Sequence, residues 1–211
     1  MFVNLIAFMG ENFIPECVGR KMKIRLDLHV HTKYSHDCST DPNAAVAYAR
    51  KIGLDGIAIT DHDEIGWKKI DEKFIVIPGI EISTKRGHLI ALGIDRTIEK
   101  GLSVEETIEK VKDLGGITIM PHPFRFVHGI RPSAHESFEV DGVEVSNGKD
   151  SKRLNRKAKR LARRWDKAEV AGSDAHRLEE IGSAVTILEV SEPKLDEILQ
   201  SIQEKRSGVL I

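Results

Sequence analysis

The nine residues Ile24-Arg25-Leu26-Asp27-Leu28-His29-Val30-His31-Thr32 constrain this chain more than any other stretch. Apolar and polar side chains alternate along them, so they read as a strand with Leu26, Leu28 and Val30 on one face. Asp27, His29 and His31 then share the other face, with the two histidines one pleat apart. Imidazoles so placed can grip one cation, because imidazole nitrogen suits zinc, iron, manganese or nickel. A half-buried strand with two chance histidines has the same local pattern, so the reading depends on what the later strands carry.

Those strands repeat the theme. The segment 56–60 is short and apolar and ends in Asp61-His62-Asp63-Glu64. A strand from Phe74 runs through Pro78-Gly79 to Glu81, and the strand over 87–93 carries His88 at its start. Residues 117–120 lead into Pro121-His122-Pro123, Val143-Glu144-Val145 into Ser146-Asn147, and 169–172 into Ser173-Asp174-Ala175-His176. Helices are predicted over 44–52, around Trp67, after Ser103 with Glu106 completing a capping box, over 149–165 and over 193–205. A strand over 184–190 and a terminal one over 209–211 complete the pattern. Short apolar strands alternating with helices predict βα units and a parallel sheet, and 211 residues suffice for one barrel-sized domain.

Composition sets the frame. Net charge is −1, so no global field argues for nucleic acid or membrane as a partner. Cys17 and Cys38 are too few for a disulfide scaffold, and a reduced, cytoplasmic setting is expected. Residues 1–21 read as an N-terminal extension to a single domain over 22–211. Their apolar start is too short for a membrane span and lacks a signal-peptide pattern, and Met22 is a candidate alternative start.

In a parallel barrel the working residues sit at the carboxyl ends of the strands. The polar strand ends here run from residue 29 to residue 176, and a barrel would gather them on one rim. Asp37, Glu81 and Asp174 would then repel, by roughly 4 kcal/mol per pair at 4 Å and an effective dielectric of 20. Cations remove that penalty. A mixed imidazole and carboxylate set points to zinc, manganese or iron, and more candidates are present than one tetrahedral ion needs, so two or three divalent ions are expected.

Taken in order, Asp27-Leu28-His29-Val30-His31-Thr32, Ile59-Thr60-Asp61-His62, Gly79-Ile80-Glu81, Gly87-His88-Leu89, Pro121-His122-Pro123 and Ser173-Asp174-Ala175-His176 resemble the motifs of the PHP (polymerase and histidinol phosphatase) family. The resemblance covers about residues 23–188. It implies a distorted seven-stranded (β/α) TIM-like barrel and phosphoester hydrolysis by a metal-activated hydroxide. It also implies that His29 and His31 hold a first ion with Glu81 and Asp174. Glu81 would bridge to a second ion completed by His88 and His122. His62 and His176 would hold a third with a ligand from the loop after His31, for which Asp37 is chosen over His36, with Cys38 as a further competitor. Asp37, His176 and a bound water are the candidates for protonating the leaving oxygen. Asp27, Asp61 and Glu144 are expected to orient the imidazoles.

Arg125, His128, Arg131 and Asn147 are the candidate substrate contacts, Arg125 as a phosphate clamp. The helix over 149–165 carries a dense positive face, read either as a solvated barrel helix or as attraction for nucleic acid. The expected function is hydrolysis of a phosphorylated small molecule or nucleotide. A nuclease, an amidohydrolase-type barrel and a non-catalytic metal-binding subunit are the alternatives.

Overall fold

Strand β1 (Met22–Val30) is the stave on which the sheet closes. The computed structural model describes residues 21–66 and 74–210, so the expected helix near Trp67 and the extension up to residue 20 lie outside the described residues. After β1 come α1 (Pro42–Lys51), β2 (Gly56–Ile59), β3 (Ile75–Thr84), β4 (Gly87–Leu92), α2 (Val104–Asp113) and β5 (Ile117–Met120). Then follow β6 (Gly142–Asn147), α3 (Lys152–Trp165), β7 (Ala168–Gly172), β8 (Val185–Val190), α4 (Leu195–Gln203) and β9 (Ser207–Leu210). Local signals set several boundaries. Asp41 caps α1 ahead of Pro42, and Ser103 and Glu106 form the expected capping box on α2.

The nine strands form one sheet in the order β7-β6-β5-β4-β3-β2-β1-β8-β9. Strands β1 to β3 are parallel, as are β5 to β7, whereas β4 is antiparallel to both β3 and β5. This places the start of β4, with His88, at the rim where the neighbouring strands end. The amino half of β1 pairs with β8. Its carboxyl end meets the segment after β7, where the His31 N–H donates to the Ala175 carbonyl at 2.9 Å and the Asp174 N–H to that of His29 at 2.8 Å. The Thr186 hydroxyl bridges β8 to β7 through both backbone groups of Ala171. The result is a nearly closed, barrel-like α/β sheet. Among the described residues it has nine strands rather than seven, β8 and β9 filling the seam between β1 and β7.

The outer helices pack by their apolar stripes. Ala45, Val46 and Ala49 of α1 meet Val30 and Ile57, and Leu161 and Trp165 of α3 meet Val143 and Val145. Helix α4 inserts Ile198, Leu199 and Ile202 among Ile24, Leu26 and Leu188, at the half of β1 away from its histidines. No described helix is long and apolar enough to cross a membrane.

The simple alternation predicted for β1 does not hold throughout. Its register against β2 shifts between Asp27 and Val30, and Leu26 and Leu28 join one core cluster while Val30 joins another. Asp27 consequently touches no imidazole ring, which corrects its expected role. Its carboxylate instead accepts the backbone N–H groups of Ser173 and Gly182, both at 2.8 Å, and of His29 at 3.3 Å. Burial pushes this carboxyl up to about 6 against the pull of those donors. Asp27→Ala should cost about 2–4 kcal/mol in urea unfolding, because it strands buried N–H groups, and Asp27→Asn should cost less.

Candidate metal centre

Five imidazoles surround one carboxylate. Glu81 is 1% exposed and lies midway along β3. Its Oε1 is 2.9 Å from His88 Nδ1 and 2.8 Å from His122 Nε2. Its Oε2 is 3.4 Å from His29 Nε2, 3.3 Å from His31 Nε2 and 3.2 Å from His62 Nδ1. His29 and His31 face each other through Nε2 atoms 3.1 Å apart. Asp174 Oδ1 lies 3.8 Å from His29 Nε2 and 3.5 Å from His31 Nε2. On the outer side, His176 Nε2 is 3.0 Å and His62 Nε2 is 3.6 Å from Asp37 Oδ2.

All nine residues expected as ligands fall into four overlapping groups, each with its candidate donor atoms within 4.8 Å of one another. The groups are His31, Asp37, His62 and His176; His29, His122 and Asp174; His29, His31 and Glu81; and His62, Glu81 and His88. The partition differs from the expected one. His122 groups with His29 and Asp174, and His62 with Glu81 and His88, because Glu81 sits centrally and touches rings from both sides.

The residues present fit divalent cations. His122 Nδ1 is buried and has no hydrogen-bond partner among the described residues, as a ring nitrogen aimed at an ion would be. Burial opposes charge on His29, yet Glu81, Glu144 and Asp174 outweigh it and hold its pKa well above the ordinary range. Burial likewise opposes charge on Glu81, and His29 with the other imidazoles overcomes it, so this carboxyl stays ionised well below its usual range. The pocket therefore calls for positive charge at its centre, which a divalent ion supplies without protonating the rings.

Neighbouring groups orient these rings. Glu144 Oε1 is 3.0 Å from His29 Nδ1, and its Oε2 accepts the His122 N–H at 2.8 Å. Gly172 passes so close that a Cβ there would lie 2.7 Å from Glu144 Oε1 and 2.9 Å from the His29 nitrogen. Asp61 reaches His31 indirectly. It accepts from Ser35 Oγ at 3.1 Å, and that oxygen lies 3.0 Å from His31 Nδ1. Asp61 also binds the Thr32 N–H at 2.6 Å and its hydroxyl at 2.8 Å. His122 and Asp174 adopt left-handed backbone conformations, with φ of 28° and 57°, as strained residues at functional sites do.

Sequence reasoning missed Ser35 and Lys149. A serine in a polar loop carries no spacing signal, and Lys149 was assigned to the basic helix. It in fact precedes α3, with its ammonium 2.9 Å from His176 Nδ1 and 3.5 Å from Glu180. Cys38 points elsewhere, its thiol donating to the carbonyls of His31 and His176. His36 is exposed, its ring 5.3 Å from that of His62.

The expected substrate contacts separate. Arg125 is no free clamp, since its guanidinium donates to Asp150 at 2.8 Å, Asp174 at 2.7 Å and Asn147 at 2.8 Å. Asn147 is buried and donates to Glu144 at 2.9 Å while accepting from Arg125 and the Lys149 N–H. Both therefore brace the carboxylates of the site rather than facing solvent. His128 and Arg131 are exposed in the loop beyond.

A barrel-like α/β sheet whose rim gathers six imidazoles and three carboxylates defines a class of proteins equipped to hold metal ions. Residues 152–207 match the family model PHP_C, described as PHP-associated. An uncharacterized protein of Methanocaldococcus jannaschii is 39% identical over 140 residues, covering 59% of this chain and 82% of that protein. Among solved structures, a two-domain protein from Bacteroides vulgatus containing a predicted PHP-like metal-dependent phosphoesterase superposes with a TM-score of 0.72 at 18% identity, over 90% of this chain and 65% of that one. The lesion-specific endonuclease EndoQ from Pyrococcus furiosus gives a TM-score of 0.70 at 18% identity, over 90% of this chain and 58% of that one. This chain thus spans less than two thirds of both solved chains. It shares the fold of PHP-like proteins and, over residues 152–207, matches the PHP-associated family model.

Two substitutions test the geometry by metal titration of chelator-treated protein. Glu81→Ala should weaken zinc or manganese binding by more than about a hundredfold, because it removes the carboxylate shared by five rings. Arg125→Ala should weaken it about tenfold, in the range expected for loss of a group that orients a ligand.

Proposed function

We propose that the chain is a metal-dependent phosphoesterase, a hydrolase that cleaves phosphomonoesters or nucleotides. The observation that carries this reading is the convergence of nine His, Asp and Glu side chains, Glu81 among them, on one rim. His29, His31, His62, His88, His122, His176, Asp37, Glu81 and Asp174 would hold two or three divalent ions, zinc, manganese or iron. Ions held there would acidify a water to near neutral pH and neutralise charge on the phosphoryl oxygens.

The remaining roles fall to the chain's own residues. Asp37 and His176 are the most exposed of the nine, with side chains 39% and 19% accessible, so substrate enters past them. Asp37 Oδ2 and His176 Nε2 lie 3.0 Å apart, and whichever of the two is not bound to an ion would hand a proton to the leaving oxygen. The Lys149 ammonium beside His176 adds positive charge where the phosphate arrives. A cytoplasmic setting fits the free thiol of Cys38.

One observation favours a second reading, cleavage of nucleic-acid phosphodiesters. Lys152, Arg153, Arg156 and Arg160 on α3 are exposed and make no ion pair among the described residues. They extend from the rim, and Lys157 of the same helix reaches the Phe124 ring at 5.7 Å. A line of unpaired cations leading from the centre suits a polyanion.

A phosphoester panel on metal-loaded protein tests both. Phosphomonoester turnover should disappear with chelator, return with zinc or manganese, and fall at least about a thousandfold in His29→Ala. Inertness to every ester of the panel, or turnover of amides and lactones alone, would sink the proposal. If the second reading holds, reversing Arg156 and Arg160 to Glu should lower DNA cleavage relative to small-ester cleavage and flatten its salt dependence.

A further inference from the structure

A cavity of about 580 Å³ opens beside the candidate metal centre between the β3–β4 hairpin and the loop after β5. Arg86, His88, Phe126, His128 and Arg131 line it. His88 is shared with the metal centre, where its Nδ1 lies 2.9 Å from Glu81. His128 stacks on the same ring, with centroids 4.5 Å apart and planes 17° from parallel. A group in this cavity therefore lies about one imidazole away from the cluster.

Phe126 stands over the cavity with 87% of its surface exposed. A single exposed apolar residue needs no explanation by itself. This one, however, is held in place. The Arg131 guanidinium lies 4.8 Å over the ring and donates to the carbonyls of Phe126 and Arg125. The Phe124 N–H donates to the Ile130 carbonyl at 3.1 Å, and the His88 N–H to the His128 carbonyl at 2.8 Å. Gly87, at φ 138°, permits that approach, since a Cβ there would lie 2.6 Å from the His128 oxygen. Phe124 and His128 both take left-handed conformations, at φ 73° and 65°, so the loop is braced in an unfavourable backbone shape with its aromatic ring facing water. Arg86 is neutralised by Glu136, whereas Arg131 has no carboxylate partner among the described residues.

We propose that this cavity is a stacking subsite for the nucleobase of a nucleotide whose phosphate lies at the metal centre. Phe126 is the platform, and the unpaired charge of Arg131 favours an anionic ligand. The proposal rests on the phosphoesterase reading and sharpens its substrate class. Every nucleobase offers a flat π face to an exposed aromatic ring, and a guanidinium beside the ring adds cation–π attraction. The polar lining of Arg86, His88, His128 and Arg131 is unsuited to a lipid tail or an apolar helix.

Calorimetric titration of the metal-loaded full chain with the non-hydrolysable 5′-phosphonates of adenosine and of ribose tests this. The adenosine compound should bind at least about fivefold more tightly than the ribose compound. Phe126→Ala should erase that ratio, and Phe126→Trp should keep or raise it. Phe126 is almost fully exposed, so neither change removes a core contact. Equal affinity for the two phosphonates, or a ratio untouched by Phe126→Ala, overturns the subsite while leaving the phosphoesterase reading intact. Failure of both compounds to bind overturns the subsite and that reading together. A 5′-phosphorothioate tetramer of dA that binds more tightly than the mononucleotide, increasingly so at low salt, assigns the subsite to strand ends. Equal affinity for the two assigns it to free nucleotides.

Discussion

The structure depends on a carboxylate that has no business being buried alone. Glu81 lies in the interior of the rim, and an isolated ionised group there would carry a desolvation penalty of several kcal/mol. Imidazoles from β1, β4 and the segments after β2 and β5 offset it, at distances of 2.8 to 3.4 Å. This requirement explains an oddity of the sheet. Strand β3 runs ten residues, parallel to β2 in its first half and antiparallel to β4 in its second. Reversal of β4 brings His88, paired with Ser83, back beside Glu81.

Around that centre the chain places groups that fix orientation. Glu144 holds both a ring nitrogen of His29 and the backbone of His122. Arg125 and Asn147 hold Asp174, and Asp150 holds Arg125. Such pairings lock side-chain rotamers at the cost of local backbone strain at His122 and Asp174. The buried His, Asp and Glu side chains are thus held in place, while Asp37 and His176 remain accessible.

The surroundings of the rim bear on what enters. Helix α3 presents unpaired cations on one side, and the loop after β5 presents Phe126 and Arg131 on the other. The fold and the cluster of metal-ligating side chains frame the proposed chemistry, and on that proposal these flanks would bear on substrate choice. Neither flank contributes to the core through the residues concerned, so each is free to vary without disturbing the centre.

Much of the fold and site was legible in sequence because strands and their ends are local. Alternation in β1 and short apolar runs in the later strands marked the staves, Ser103 with Glu106 marked α2, and the polar residues closing the staves marked the rim. The expected parallel sheet did not foresee that β4 runs antiparallel to β3 and β5. What tertiary structure alone decided were matters of long-range pairing. The register shift in β1 turned Asp27 toward the backbone of Ser173 and Gly182, which no local pattern encodes. Arg125 became a brace because Asp150 and Asp174, far along the chain, occupy its donors. Ser35 and Lys149 acquired roles from neighbours that arrive only when the sheet closes. Residue type and spacing determine which chemistry a side chain can perform, whereas its free donors and acceptors are set by the partners that folding brings to it.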